Sequence, residues 1–531
     1  MLRLMNRVTD KKKWHVKKIF DDDIIDRWRA EAKRSGDVTE RMVDWIIAEV
    51  RYKAEMFQFI DMVIVYNGDV VKSDTAVPES TRVTLKTAAQ ALEDAMSPAK
   101  DFHPGSDDKV VDLVHPSLFP LVYGRSRILQ DELIGIGDCF SKIGCGEVIP
   151  VPPLPRAPTV DELPSGMTYV EWARWPRETV TRPYSNKFQW LPCDVELLGP
   201  LTGCKISSYI NNLHPRRHQD LYDAVEKVIS CAIPMWNATL SPLDNRYRDR
   251  NPRPRISYTP FPYEPLPEDR RPQGNRHDSP RRLKNAILPE PETFIPPPLQ
   301  GIDLEMHGDH SNLQVIVKLA NIELTPEKPS YNGGTWHVEG QMNEHICATA
   351  LYYYDCENIT ESRLAFRQES LFNSSPSGPN DQHEWLDAVY GCTQHGPQVQ
   401  EIGDVVCKQG RLLTFPNTLQ HQVQPFQLAD PAKPGHRKIL ALFLIDPNIR
   451  VISTANVPPQ QRDWWKDEIY RQHSLSPLPV ELQEQIMEDV DFPMPMDEAK
   501  ELRLELMEER SAFVEEQTTA FMSPTFSLCE H

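Results

Sequence analysis

No CxxC pair occurs in this chain, and its ten cysteines are scattered irregularly from 139 to 529. That spacing excludes a zinc ribbon or a thioredoxin-type motif. The density is too low for a disulfide scaffold, so a reduced intracellular protein is expected. No stretch approaches the roughly 20 apolar residues of a membrane span. The basic N-terminus carries no apolar h-region of a secretory signal. A cytoplasmic location, or a nuclear one, is therefore expected, with no membrane partner. Positive charge is also in deficit: 58 Lys and Arg stand against 77 Asp and Glu, a net charge of -19. Such a chain repels a phosphate backbone, which disfavours nucleic acid as a partner. Glycine is scarce, with 23 residues against 48 prolines. Proline fixes φ and removes a donor, so this balance favours extended connections and wrapping arms over tight turns.

What is present divides the 531 residues into four regions. Residues 1–150 read as a helical N-terminal region. Ile24, Ile25 and Trp28, then Met42, Trp45, Ile46 and Val50, recur at helical spacing, with Thr39 as a helix start. Residues 81–96 predict another helix, and the proline-broken apolar stretch at 109–124 predicts a packed arm. Residues 151–300 combine a proline-rich connection, a helix-like unit over 205–240 and a Pro/Arg-rich excursion over 241–300. From about 312 the apolar period becomes that of strands. Segments such as LQVIVKLANIEL, WHV, ICATALYYYD, SRLAFRQ, EWLDAVYG, VVCKQGRLLTFP, HQVQPFQL and RKILALFLID follow with no helices between them. Residues 301–455 are therefore expected to form a double-layered jelly roll, a double-stranded β-helix or cupin-like core. Residues 456–531 read as a charged helical C-terminal arm. The fold class expected is α+β.

The chemistry concentrates in GGTWHVEG. His337 and Glu339 are two apart, and in an extended strand such residues point to the same side. An HxE pair alone is common and means little. A third ligand must come from elsewhere, and His421 in FPNTLQHQVQPF sits where a late strand begins. Two imidazoles and one carboxylate on one face of an octahedron leave open positions, the facial triad that suits Fe(II). A dicarboxylate co-substrate chelating that iron needs a cation for its far end. Arg437 opens the next strand, and its planar fork suits a carboxylate. His436 and Lys438 flank it on the opposite parity, so Lys438 is the alternative anchor. Glu344 and His345 can also be read as ligands, but they do not form HExxH. His383 and His395 lie in Gly/Pro/Asn-rich sequence and read as surface loop. Tyr352, Tyr353 and Tyr354 alternate faces, so at least one packs in the core. Trp336 reads as packing, and Arg411 as support for the site or a partner of an acid.

The chain resembles a family of large, mostly fungal proteins defined by a domain of unknown function. The resemblance runs through VVDLVHPSLFPLVYGR, KISSYINNLHP, the long segment 313–360, GRLLTFPNTLQHQVQPF and EAKELRLELMEERS. That family is placed by its core with the 2-oxoglutarate- and Fe(II)-dependent oxygenases. The resemblance implies Fe(II) on His337, Glu339 and His421, with 2-oxoglutarate as co-substrate held by Arg437. It also implies O₂ as oxidant, release of succinate and CO₂, and hydroxylation of a substrate. A small molecule, such as an amino acid or secondary metabolite, is the substrate expected. A protein side chain, as in jumonji-type hydroxylases and demethylases, and a non-catalytic jelly-roll interaction protein are the alternatives.

Overall fold

The computed structural model describes the chain except residues 35–37, 67–68, 97–99, 154–182, 200–202, 244–289, 298–300, 305–311, 370–386, 388–390, 473–477 and 526–531. Helices form where the apolar spacing predicts them, in α2 (Asp22–Lys33), α3 (Glu40–Ile60) and α4 (Glu79–Met96), and a further short helix, α1 (Leu2–Thr9), precedes them. The Thr39 hydroxyl accepts the Met42 N–H at 3.2 Å, satisfying one of the unpaired donors at the start of α3. Such a cap contributes about 1 kcal/mol. The C-terminal arm is likewise helical, as described below.

The strands of the first half are short: β1 (Val63–Ile64), β2 (Val71–Ser73), β3 (Val110–Val114), β4 (Leu121–Val122), β5 (Arg127–Ile128), β6 (Glu147–Val148), β7 (Phe188–Gln189), β8 (Cys193–Gly199) and β9 (Gly203–Ile206). The long buried helix α5 (Gln219–Leu240) follows. Then come β10 (Asn312–Leu324), β11 (Ser330–Tyr331), β12 (Ile346–Glu357), β13 (Ser362–Glu369), β14 (Val399–Cys407), β15 (Leu412–Pro416), β16 (Gln420–Val423), β17 (Phe426–Gln427) and β18 (Gly435–Ile445). The chain closes with α6 (Arg462–Arg471), α7 (Val480–Glu488) and α8 (Met496–Met522).

A nine-stranded sheet runs β1-β2-β15-β12-β18-β10-β8-β9, with β3 also on β10. A three-stranded sheet runs β14-β13-β16. The pairings within both are antiparallel. Alternation along β18 shows how the layers stack. Ala441, Phe443 and Ile445 enter a core with Leu364, Phe366 and Val405 of the small sheet. Leu440, Leu442 and Leu444 enter a second core with Val225, Val228 and Trp236 of α5 and Leu85 of α4. The large sheet is therefore sandwiched between helices and the small sheet, which explains why its strands are apolar on both faces. The molecule is mixed α+β with mostly antiparallel sheets.

Local readings differ in three places. Residues 110–114 are not an arm but strand β3, paired with the middle of β10. Residues 205–218 are not helical: β9 ends at Ile206, Asn212 has φ 67°, and α5 starts only at Gln219. WHV is extended but joins the small sheet through a single bridge, His337 to His421. EWLDAVYG and most of the 151–181 and 241–300 segments fall outside the described residues. Among the described residues, no helix is long and apolar enough to cross a membrane.

Candidate metal centre

His421 lies on β16, directly opposite Phe366 of β13. Phe366 faces the inter-sheet core, so His421 does too. Its ring packs on Phe415 of the large sheet at 4.8 Å between centroids, and Phe415 meets Phe366 at 5.1 Å. On its other side, β16 meets the extended segment after β11. The His337 N–H donates to the His421 carbonyl at 3.2 Å, and the His421 N–H to the His337 carbonyl at 3.0 Å. This reciprocal pair sets the two imidazoles side by side, 4.3 Å between centroids. Glu339, two residues on, returns to the same side. Its Oε1 lies 3.3 Å from His421 Nε2 and 3.8 Å from His337 Nε2. The three candidate ligand atoms all fall within 4.8 Å of one another.

The protonation pattern suits a cation. His337 Nδ1 lies 2.8 Å from the Thr335 carbonyl, which only an N–H can satisfy. That fixes the tautomer and leaves the Nε2 lone pair toward Glu339. Burial, together with the neighbouring His421, pushes the His337 pKa down to about 4, against the pull of Glu339. Burial acts to raise the Glu339 pKa, but the His421 hydrogen bond and the charges of His337 and Lys318 hold it at about 2. At neutral pH the site therefore offers one carboxylate and at least one neutral imidazole. Ligands about 2.1 Å from an ion in adjacent octahedral positions sit roughly 3 Å apart, and the Glu339 oxygen lies 3.3 and 3.8 Å from the two imidazole nitrogens. The donor set fits a divalent transition metal with positions left over for other ligands.

A residue absent from the sequence reading positions this site. Asn417, in the turn between β15 and β16, accepts the Glu339 N–H at 2.8 Å through Oδ1. Its Nδ2 donates to the Glu339 carbonyl at 2.9 Å and to the Ile346 carbonyl at 3.1 Å. One carboxamide thus holds both backbone groups of a candidate ligand residue. Its place in FPNTLQH, just before His421, was the available signal.

Arg437 and Lys438 separate as alternation demands. Lys438 turns to the helical side, where its Nζ pairs with Glu93 of α4 at 2.8 Å. His436 also turns away, 2.8 Å from Asp355. Arg437 turns to the inter-sheet side, 2% exposed. It donates to Ser362 Oγ at 2.7 Å and lies 5.6 Å from the Tyr353 ring and 5.2 Å from the Phe426 ring. Its Nε has no partner, and it makes no ion pair among the described residues. Ser362 and Phe366 lie on the same face of β13, four residues apart, so Arg437 approaches roughly 13 Å along the strand from the His421 pairing.

The remaining candidates have structural employment. Glu344 is fully buried; its Oε1 accepts the Trp190 N–H at 2.8 Å and pairs with Arg510 of α8, and its Oε2 accepts the Gln341 N–H at 2.7 Å. His345 has φ 48° and ends that turn. Arg411 is fully buried between Asp74 and Asp10. Tyr352 and Tyr354 pack on the helical side, and Tyr353 on the inter-sheet side. Trp336 stacks over Arg367 at 4.6 Å. His395 has φ 61° in a loop, and His383 lies outside the described residues.

A family model described as Protein of unknown function (DUF4246) matches residues 40–468, and the model of that domain's N-terminal part matches residues 1–31. Comparison with curated proteins finds no match. Among solved structures, the chain has weak similarity to a bsmA homolog from Methylobium petroleophilum PM1, with 14% identity over 26% of this chain and 42% of that one, TM-score 0.17. IDO from Bacillus thuringiensis matches with 12% identity over 25% and 45%, TM-score 0.17. The Fe(II)/(alpha)ketoglutarate-dependent dioxygenase TqaL matches with 16% identity over 27% and 47%, TM-score 0.17. The chain thus spans less than half the length of each of these structures.

Proposed function

This chain belongs to the family described as Protein of unknown function (DUF4246), and from its site we propose that it is a 2-oxoglutarate- and Fe(II)-dependent dioxygenase that hydroxylates a small molecule. The observation that carries the reading is the His337, Glu339 and His421 constellation, held on the inner side of facing antiparallel sheets. The strand arrangement supports a double-stranded β-helix, because the strands from 312 to 445 divide between facing sheets, with β10, β12, β15 and β18 in the large one and β13, β14 and β16 in the small one. When bound, iron with 2-oxoglutarate and O₂ would supply the oxidising chemistry, with succinate and CO₂ released. His337, Glu339 and His421 would hold the metal. Arg437 would take the distal carboxylate of 2-oxoglutarate. A buried guanidinium with one neutral partner is costly, and a bound carboxylate relieves that cost. Asn417 keeps the Glu339 backbone in register. α8 covers the loop after Glu339 through Arg510, which pairs with Glu344 and lies 4.0 Å over the Trp190 ring. The His337 side chain is 30% exposed, so the site has an edge open to solvent.

The test is Fe(II) binding together with succinate release from 2-oxoglutarate in the presence of ascorbate. The expected result is one Fe(II) per chain and measurable uncoupled turnover, both abolished in His337→Ala and His421→Ala. Arg437→Ala should bind iron normally while demanding more 2-oxoglutarate. Absence of both signals in the wild-type protein would refute the reading.

A further inference from the structure

The large sheet turns further charge toward the same space. Lys318 of β10 has the parity of Ile316, which lies in the inter-sheet core, so its side chain is on the inner face. Two residues on, Ala320 pairs with Ile439 of β18 on one side and Asp112 of β3 on the other. Asp112 therefore shares that face, and Arg437, opposite Ile322, does as well. Lys318 is partly exposed and makes no ion pair among the described residues. Its charge acts on Glu339 and His337, and also on Asp112 and His115.

Asp112, His103 and His115 form a second cluster whose candidate ligand atoms lie within 4.8 Å. A second metal ion is the first idea such a cluster raises, and one observation opposes it. His115 Nδ1 accepts the Ser117 N–H at 3.2 Å, so its proton sits on Nε2 and that nitrogen has no free lone pair. What the cluster offers is a hydrogen-bonding edge. Burial acts to raise the Asp112 pKa, but His115, His103 and Lys318 hold it well below the usual carboxylate range. His103 Nδ1 lies 2.8 Å from the Asp112 Oδ2, so Nδ1–H donates; in the neutral ring, 27% exposed, Nε2 is then an acceptor. Asp112 itself is 3% exposed, and its Oδ1 has no partner.

We propose that Lys318 and the His103–Asp112 pair bind the oxygenase substrate, and that this substrate is a small carboxylic acid bearing an N–H or O–H donor, an amino acid or a hydroxy acid. The Lys318 ammonium takes the carboxylate, and His103 Nε2 accepts the donor. The ionised Asp112 behind the ring favours a positively charged donor, so the amino acid fits better. This rests on the oxygenase reading, since the facing triad is what makes the surface a substrate wall. Arg437 stays reserved for 2-oxoglutarate.

The test is calorimetry on protein loaded with Fe(II) and 2-oxoglutarate without O₂. The probes are L-amino acids, the matching hydroxy acids, carboxylic acids lacking a donor, and alkylamines, all at millimolar concentration. Amino acids should bind most tightly, and Lys318→Met should weaken them roughly tenfold to a hundredfold. The advantage of amino acids over plain acids should vanish in His103→Phe. Iron stoichiometry is measured on the same samples. Three results overturn the proposal: no binding of either donor-bearing acid, binding indifferent to Lys318→Met, or a second bound metal lost in His103→Ala. If instead the triad takes up no iron while amino acids still bind through Lys318, the oxygenase reading falls and the binding assignment stands.

Discussion

Replacing Asn417 with Ala removes a carboxamide on which three hydrogen bonds end, two of them on the backbone of Glu339. Each such bond contributes about 1 kcal/mol net, so the loss amounts to about 3 kcal/mol if water replaces none of them. Asn417 is partly buried, and some replacement by water lowers this to about 1.5–3 kcal/mol. The loss falls on the segment that aims Glu339, a proposed metal ligand. Residues that orient ligands without touching the ion typically change affinity about 10–100-fold, or about 1.4–2.8 kcal/mol, which agrees with the count of bonds. The assay is equilibrium Fe(II) titration without O₂, alongside urea denaturation of the metal-free protein. Asn417→Ala should weaken iron by that factor while keeping one site per chain. Asn417→Asp keeps the acceptor for the Glu339 N–H but faces two carbonyls with a carboxylate, so it should be no better than Ala. Wild-type iron affinity in Asn417→Ala would refute the claim that this turn sets the site.

Other expectations follow from the same structure. Lys438→Met should lower stability through loss of the Glu93 pair, yet leave the 2-oxoglutarate requirement unchanged; a raised requirement would return Lys438 to the anchor role. In Gly435→Ala the new Cβ would meet the Asn358 carbonyl at 2.5 Å and the Glu357 carbonyl at 2.9 Å. That backbone clash should cost about 1–3 kcal/mol in denaturant unfolding and weaken 2-oxoglutarate binding by shifting the start of β18. Burial acts to raise the Asp74 pKa, but Arg411 and Lys408 hold it down at about 2. A lowered folded pKa gives stability that is present above the unfolded value of about 3.9 and lost as pH falls through about 2. Asp74→Asn should therefore be less stable at neutral pH but lose less on acidification across that window. An unchanged acid-unfolding profile would contradict the assignment.

The sequence was most legible where chemistry follows short-range periodicity. Two-residue alternation put His337 and Glu339 on one side, and the structure has them there although only one bridge ties WHV to a sheet. Alternation also framed Arg437 and Lys438 as exclusive alternatives. Which of them faces the small sheet depended on the packing of β18, and Leu440, Leu442 and Leu444 on α4 and α5 put Lys438 on the helical side and Arg437 on the inter-sheet side. Long-range pairing was not legible. β3 reads as an arm because proline follows it closely and its partner, β10, lies far along the chain. The same blindness hid Asp112, His103 and Lys318, which meet only through that pairing. Residues 205–218 mislead for a different reason. Isoleucine, tyrosine and leucine at mixed spacing serve β9 and its turns as well as they would a helix, and only Asn212 and Pro215 mark the break. Asn417 escaped notice because its role is to hold another segment's backbone, which no local pattern records.

The most direct test of the central claim is the amount of Fe(II) bound per chain, measured without O₂ on the wild-type protein and on His337→Ala, His421→Ala and Glu339→Ala. One ion per wild-type chain, lost in each of the three variants while Lys438→Met keeps it, is the result predicted. A wild-type chain that binds no iron, or variants that bind as much as the wild type, would contradict the account.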